Sequence, residues 1–192
     1  RDIGVDIATM LDVFGTPDMT KEEVKEAVRE TIARAGVSID AAEGTLLNGP
    51  IQGGVHADLR TQSAVGMAEY GFGVHPIGGI VPLMERQRYR ELVEIILACR
   101  EHIPWNRPVH IFGCGHPHLF PICVALGADL FDSAAYALFA RDDRMLMPWG
   151  TVKLGDLAEF PIATEALAGQ TPASVMALAD DARCELLARH NL

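Results

Sequence analysis

Apolar residues recur along this chain in two alternating patterns: short continuous runs and longer stretches with helical spacing. The runs fall at residues 3–13, 46–51, 73–77, 108–113 and 128–132, and each stops at a carboxylate, an amide or a glycine. The stretches between them place apolar residues three and four positions apart, as in amphipathic helices. This alternation of strands and helices predicts right-handed crossovers and a parallel sheet.

The predicted helices carry recognisable signals near their ends. Thr20 and Glu23 form a capping box, which predicts a helix that begins after Thr20 and ends at Gly36. Further elements are predicted as a helix at 58–70, a helix that starts near Pro82, a short helix at 117–126, a hairpin at 145–157 and a helix at 172–189. The helix after Pro82 is predicted to bury a stripe formed by Tyr89, Leu92, Val93, Ile96 and Leu97.

The ends of the predicted strands collect the residues that could bind or react. Asp12, Gln52, Gly78-Gly79 and Asp132 each follow a strand, and such ends meet at one mouth in a (β/α)8 barrel. No Gly-x-Gly-x-x-Gly fingerprint follows the first strand, which disfavours a dinucleotide-binding fold. We therefore expect an α/β chain with about half of a TIM barrel at residues 1–143, followed by a hairpin and a helix at 144–192.

These residue types suit the recognition of a flat heterocycle. The Asp12 carboxylate and the Gln52 amide can read its donor and acceptor edge, while Gly78 and Gly79 let backbone groups approach it closely. Asp132 is a candidate nucleophile, because an acid that ends an apolar strand is costly to bury unless it is paired or used. In the alternative, both aspartates cap the segments that follow and the glycines only form turns. The spacing alone leaves both interpretations open.

The composition limits the classes of protein that fit this pattern. A chain of 192 residues with 49% hydrophobic and 22% charged residues is typical of a folded globular domain and excludes a disordered chain. The net charge of -10 provides no general basic surface for nucleic acid, so such a partner would need a local patch or a separate domain. No apolar run approaches the ~20 residues of a membrane helix, and four cysteines without a C-x-x-C pair favour reduced thiols in the cytoplasm.

Three stretches make the chain recognisable. They are Gly49-Pro50-Ile51-Gln52-Gly53-Gly54 with Asp58-Leu59-Arg60, His75-Pro76-Ile77-Gly78-Gly79-Ile80-Val81-Pro82-Leu83-Met84-Glu85, and Leu130-Phe131-Asp132-Ser133-Ala134. Together they resemble the tRNA-guanine transglycosylase family, and the last two are similar to its archaeosine branch. The resemblance extends from about Gly4 to Leu192 and keeps the order and spacing of the motifs.

The resemblance implies a base exchange in tRNA, carried out by the second half of a TIM barrel. Asp132 matches the nucleophile that attacks the ribose C1′ and forms a covalent aspartyl-ribosyl intermediate, by the logic of a retaining glycosidase. Asp12 and Gln52 match residues that hydrogen-bond the base, and the backbone of Gly78 and Gly79 matches the contact to its carbonyl. In the archaeosine branch, guanine is exchanged for 7-cyano-7-deazaguanine in archaeosine biosynthesis.

The resemblance also implies partners outside these residues. The family's second catalytic aspartate falls before Arg1, so this chain alone is expected to be inactive without the N-terminal half of the barrel. A downstream RNA-binding domain and a homodimer are further expectations. Arg141 and Arg144 follow the strand that carries the nucleophile and are candidates for contacts with tRNA phosphates, with a solvated surface as the alternative.

The chain departs from the family at a structural zinc site. The family holds zinc with C-x-C-x2-C and a later histidine, and those positions correspond here to Ile162, Thr164, Leu167 and His190. One imidazole cannot supply the four ligands of a structural zinc. We therefore predict no zinc and no other cofactor, and a degenerate zinc subdomain at 144–192 in which Ile162 and Leu167 pack as apolar side chains.

The lost zinc ligands leave a second interpretation open. A paralogue, archaeosine synthase, carries a transglycosylase-like barrel that binds tRNA without exchanging its base, and such a barrel could lose the metal. The presence of Asp12, Gln52 and Asp132 favours the enzyme, since an exchange site needs all three. A third interpretation is an unrelated barrel hydrolase that uses His116 and His118.

Overall fold

The computed structural model describes residues 4–157 and 166–192. Its parallel strands are β1 (Ile7–Thr9), β2 (Leu46–Asn48), β3 (His75–Ile77), β4 (Val109–Ile111) and β5 (Leu130–Phe131). Strands β1 and β2 pair with each other, and β3, β4 and β5 form a second parallel group in that order. Parallel bridges from Asn48 to Val74 and from Ile51 to Ile77 join the two groups, so the strands follow one another in sequence order.

Helices separate these strands, as the alternating pattern predicts. They are α1 (Lys21–Ala33), α2 (Ala35–Ala42), α3 (Ala57–Ala68), α4 (Val81–Glu85), α5 (Tyr89–Arg100), α6 (Phe120–Ala125) and α7 (Ala135–Arg141). An antiparallel hairpin follows, with β6 (Arg144–Met147) and β7 (Gly150–Lys153), and then α8 (Pro172–Met176) and α9 (Asp180–Asn191). The α/β class and the hairpin are confirmed. The described residues form no closed barrel, and none of their helices has both the length and the apolar character needed to span a membrane.

The capping box at the start of α1 is confirmed. The backbone N–H of Glu23 donates to Thr20 Oγ1 at 3.4 Å, and the backbone N–H of Thr20 donates to the Glu23 carboxylate at 2.8 Å. The helix then buries Val24 and Val28 against Leu59 of α3. A local signal and one apolar face are therefore enough to set both the start and the orientation of this helix.

Three predicted helix boundaries are wrong. Gly36 does not end a helix, because Arg34 keeps helical backbone angles (φ -82°, ψ -12°) and leads directly from α1 into α2. The helix predicted from Pro82 divides into α4 and α5 around Gln87, whose φ of 55° is left-handed and cannot continue a helix. The helix predicted at 172–189 is likewise two helices, since Ala179 has an extended backbone (ψ 148°).

The division between α4 and α5 also shifts the buried face. Helix α5 buries Leu92, Ile95, Ile96 and Cys99, whereas Leu97 is 44% exposed. The predicted buried stripe is therefore confirmed at Leu92 and Ile96 and wrong at Leu97. A helix that starts at Tyr89 has its own phase, so a periodicity taken from Pro82 onward cannot carry over.

The chain forms two compact units. One contains Arg1–Gly113 with Cys123–Phe131, and the other contains Cys114–Ile122 with Asp132–Leu192. The first holds all five parallel strands. The second is organised around an apolar cluster of fully buried side chains, among them Met145, Leu154, Leu167, Val175 and Leu187. A domain boundary between residues 143 and 144 stays a prediction.

Candidate active site

The pairing of β1 with β2 brings Asp12 and Gln52 together. Thr9 lies opposite Asn48 in the register, and the Asn48 side-chain amide donates to Thr9 Oγ1 at 3.2 Å. Beyond the strand ends, Gln52 Nε2 donates to Asp12 Oδ2 at 2.6 Å. Gln52 is only 2% exposed while Asp12 is half-buried. Two predicted site residues, forty positions apart in the chain, thus form one hydrogen-bonded pair at the end of a sheet.

This pair has a defined polarity. Because Nε2 of Gln52 is committed to Asp12, its Oε1 faces the other way, buried and without a hydrogen-bond partner among the described residues. The bond also holds the Asp12 carboxylate in one orientation at the more open end of the pair. A carboxylate held in this way can accept N–H groups from the edge of a flat ligand.

Gly78 and Gly79 lie against the Gln52 amide. The backbone N–H of Gly78 donates to the Ile51 carbonyl at 3.1 Å. A Cβ on Gly78 would lie 2.3 Å from Gln52 Nε2, and one on Gly79 would lie 3.1 Å from Gln52 Oε1. Gly79 also has a φ of +69°, which favours glycine. The amide therefore packs on bare backbone, and the structure brings these four predicted residues into one place.

Two buried side chains of α3 hold the loop that carries Gln52. Arg60 donates from Nε to the Gly54 carbonyl and from Nη1 to the Ile51 carbonyl, both at 2.9 Å. Ser63 Oγ accepts the backbone N–H of Gln52 at 3.0 Å. Both side chains are 0% exposed, and their i, i+3 spacing places them on one face of the helix. The functional interpretation of the sequence missed these two residues. Their helical phase with Leu59 and Ala64 indicates a buried position but not what their side chains bind.

Asp132 directly follows β5 and is exposed. The start of α7 is held by the neighbouring Ser133, whose Oγ accepts the Ala135 N–H at 2.9 Å. Asp129, three residues earlier, accepts the Val109 N–H at 2.8 Å and so ties β5 to the start of β4. Two nearby residues therefore hold the backbone on either side of Asp132, and its role as nucleophile stays a prediction.

Comparison with known proteins identifies the family of this chain. The family model for queuine tRNA-ribosyltransferase, TGT, matches residues 1–192, which is the whole chain. This chain belongs to the tRNA-guanine transglycosylase family. Archaeal tRNA-guanine(15) transglycosylases are among its curated relatives, which confirms the resemblance to the archaeosine branch.

Three relatives show how much of a transglycosylase is present. The chain is 48% identical to the tRNA-guanine(15) transglycosylase of Methanocaldococcus jannaschii, 45% to that of Thermococcus onnurineus and 47% to that of Methanococcus vannielii. Each match covers 99% of this chain but only 30%, 33% and 30% of the relative, respectively. The chain therefore spans about a third of the length of the curated transglycosylases it matches.

The two arginines considered for tRNA have different surroundings. Arg144 stacks on the Phe139 ring at 3.8 Å from the centroid and donates from Nη2 to Asp142 at 2.9 Å. Arg141 is the last residue of α7 and is exposed. Of these two arginines, Arg141 is the more accessible to a phosphate.

The residues at the family's zinc positions do not fit a zinc ion. His190 has its Nε2 at 3.0 Å from the Leu146 carbonyl, and Leu167 is 0% exposed within the apolar cluster of the second unit. Ile162 and Thr164 lie outside the described residues. Within 4–157 and 166–192, no group of three His, Cys, Asp or Glu side chains could hold a metal ion. An apolar leucine cannot ligate zinc, so no step of the chemistry is assigned to a metal.

Proposed function

We propose that the whole protein containing this chain exchanges guanine in tRNA for 7-cyano-7-deazaguanine, as a step of archaeosine biosynthesis. The observation that carries the proposal is the hydrogen bond from Gln52 Nε2 to Asp12 Oδ2 beside Gly78 and Gly79. It supplies an oriented carboxylate and a side-chain amide packed on bare backbone, which suits a flat purine-like base. Membership of the transglycosylase family supports the same chemistry.

The proposed reaction consists of two displacements at one carbon. A carboxylate oxygen of Asp132 attacks the ribose C1′, the bond from C1′ to N9 of guanine breaks, and guanine leaves with that electron pair and takes up a proton. The incoming deazaguanine then loses its N9 proton and attacks C1′, which releases the Asp132 carboxylate. Two inversions give retention of configuration.

The base-recognising pair contributes orientation in both half-reactions. Asp12 accepts N–H groups from the base edge, and Gln52 holds Asp12 in place. Because guanine and a 7-deazaguanine share that edge, one pair of residues serves the leaving base and the incoming base. Holding the base in a fixed position beside the ribose lowers the entropic part of the activation free energy of the exchange.

The fold extends the proposal to partners. Five parallel strands in sequence order support the second half of a (β/α)8 barrel, and the N-terminal half would supply the remaining strands and the second catalytic aspartate. The acidic composition supports a separate RNA-binding domain for tRNA, with Arg141 adding a local contact. A homodimer and a cytoplasmic location complete the proposal.

Replacing the nucleophile tests the reaction directly. In the whole protein, Asp132→Asn should lower the exchange of labelled guanine into tRNA by at least about a thousandfold, because an amide is a poor nucleophile. It should also abolish a denaturation-resistant protein–tRNA adduct. Asp129→Asn is the matched control, since the asparagine carbonyl can still accept the Val109 N–H. Normal exchange by Asp132→Asn would overturn the assignment.

Leu167 is an apolar residue at one of the family's zinc-ligand positions. Its presence favours a second candidate function, that of the non-catalytic barrel of an archaeosine synthase paralogue. That candidate predicts tRNA binding with neither exchange nor adduct in the wild-type protein. The two outcomes are mutually exclusive, and the same assay decides between them.

A further inference from the structure

We propose that Arg60 is a positioning residue for base recognition, which acts by fixing the backbone on both sides of Gln52. This inference rests on the proposed function and deepens it. Arg60 is fully buried and has no contact with Asp12 among those that the structure describes. Its effect on a bound base would therefore pass through the Gln52 loop.

The guanidinium spans the loop. Its Nε binds the carbonyl of Gly54 and its Nη1 binds the carbonyl of Ile51, so one rigid group holds carbonyls on either side of Gln52. The loop fits tightly around it, because a Cβ on Gly53 would lie 2.7 Å from the Arg60 backbone nitrogen. Ser63 holds the Gln52 N–H from the same helix face. The backbone of Gln52 thus has little freedom to turn its side chain away from Asp12.

The same guanidinium reaches the second loop of the site. The Ile51 carbonyl that Arg60 binds also accepts the backbone N–H of Gly78 at 3.1 Å. Nη2 of Arg60 has no hydrogen-bond partner among the described residues and lies 3.8 Å from the point where a Cβ on Gly79 would sit. One buried cation therefore sets the spacing between the Gln52 loop and the Gly78-Gly79 loop.

Stability alone does not account for this arginine. Among the described residues no carboxylate pairs with Arg60, and the nearby thiol of Cys99 stays neutral because burial raises its pKa to about 12. Removing a charge from water without pairing it with an opposite charge carries a desolvation penalty. A buried arginine that binds only backbone carbonyls of a recognition loop is instead suited to fixing that loop in one geometry.

The test compares two buried arginines in the whole protein. Arg60→Met keeps the length of the side chain and removes both loop contacts. Arg100→Met is the matched control, because Arg100 is also buried and donates to a backbone carbonyl, that of Ile103, but on α5 and outside the site. We expect Arg60→Met to raise the KM for guanine about tenfold, with kcat and the KM for tRNA unchanged. Arg100→Met should change none of these three quantities.

Three further variants separate positioning from folding. In a Gln52→Ala background, Arg60→Met should raise the guanine KM no further, because its effect passes through Gln52. Arg60→Lys should recover only part of the loss, since an ammonium cannot span both carbonyls. If Arg60→Met does not fold, Ser63→Ala removes a single contact to the same loop and should raise the guanine KM in the same direction. The inference is overturned if Arg60→Met has the wild-type KM for guanine, or if Ser63→Ala has it where Arg60→Met does not fold.

Amide hydrogen exchange gives a measurement that does not depend on catalysis. Peptides covering residues 50–56 should exchange faster in Arg60→Met than in Arg100→Met, while peptides elsewhere keep their protection. If wild-type protein exchanges no guanine, the proposed function fails, yet this comparison still decides whether Arg60 holds the loop. Unchanged protection at 50–56 would refute the positioning role even in an active enzyme.

Discussion

The loop after β2 in the first unit and the zinc-site region of the second unit are each stabilised by a different kind of contact. In the first unit, the loop after β2 is fixed by directional hydrogen bonds from Arg60 and Ser63, and its side-chain amide is fixed by Asp12. In the second unit, the region that corresponds to the family's zinc site contains an apolar cluster with Leu167 at 0% exposure. The loop proposed to position the base thus depends on directional hydrogen bonds, whereas the zinc-site region depends on apolar packing.

The difference shows which features tolerate replacement. Apolar packing depends on volume and is not directional. An apolar cluster can therefore occupy the region in which the family has metal ligands. Base recognition depends on the direction of each donor and acceptor, so its supporting contacts have no apolar substitute. A zinc site can therefore be lost while Asp12, Gln52 and their support remain.

The largest stability effect should come from the second unit. Leu167→Ala should lower the free energy of unfolding by about 2–5 kcal/mol, because it leaves a cavity in the apolar cluster. The change should leave the guanine KM at its wild-type value. Denaturant unfolding of the whole protein measures the first quantity and initial-rate kinetics the second. Leu138→Ala, at a leucine that is 52% exposed, is the control and should stay within about 0.5 kcal/mol.

In the first unit, a substitution at the site should affect guanine recognition as well as stability. Gly78→Ala places a methyl group where Gln52 Nε2 now lies, which should cost about 1–3 kcal/mol of stability and raise the guanine KM about tenfold. Gly71→Ala is a matched control, since nothing lies within 4 Å of its added carbon. If Gly78→Ala lowered stability and left guanine recognition intact, the contrast between the units would disappear.

The smallest effect concerns a buried histidine in the first unit. Burial lowers the pKa of His75, so the folded state disfavours its protonated form. Its contribution to stability is complete above the unfolded pKa of about 6.5 and is lost as the pH falls below that value, by at most about 1.4 kcal/mol per pH unit. His75→Gln should flatten the pH dependence of unfolding below about pH 6.5.

Local signals predicted much of the fold. The capping box at Thr20 acts within four residues, and the strand positions follow from short apolar runs bounded by glycines. The approach of Asp12 to Gln52 could also be predicted, because parallel strands end at the same edge. The bond between them could not, since its direction depends on the register of β1 with β2 and on glycines at 78 and 79.

Other features depend on tertiary contacts that a linear pattern does not contain. Arg60 falls on the buried face of α3, yet a cationic residue at such a position normally predicts a solvated surface. Only the folded loop provides the Ile51 and Gly54 carbonyls that make its burial possible. The break at Gln87 is similar, because no proline or glycine marks it in the sequence.

The pairing of Asp12 with Gln52 has an evolutionary consequence. Each side chain is the hydrogen-bond partner of the other, so a mutation at one position leaves a polar group of the other without its partner. Single substitutions at either position therefore pass through a poorly fit intermediate. Among descendants of this sequence, these two positions should stay fixed or change together, and a change in the preferred base should appear as a correlated substitution at both.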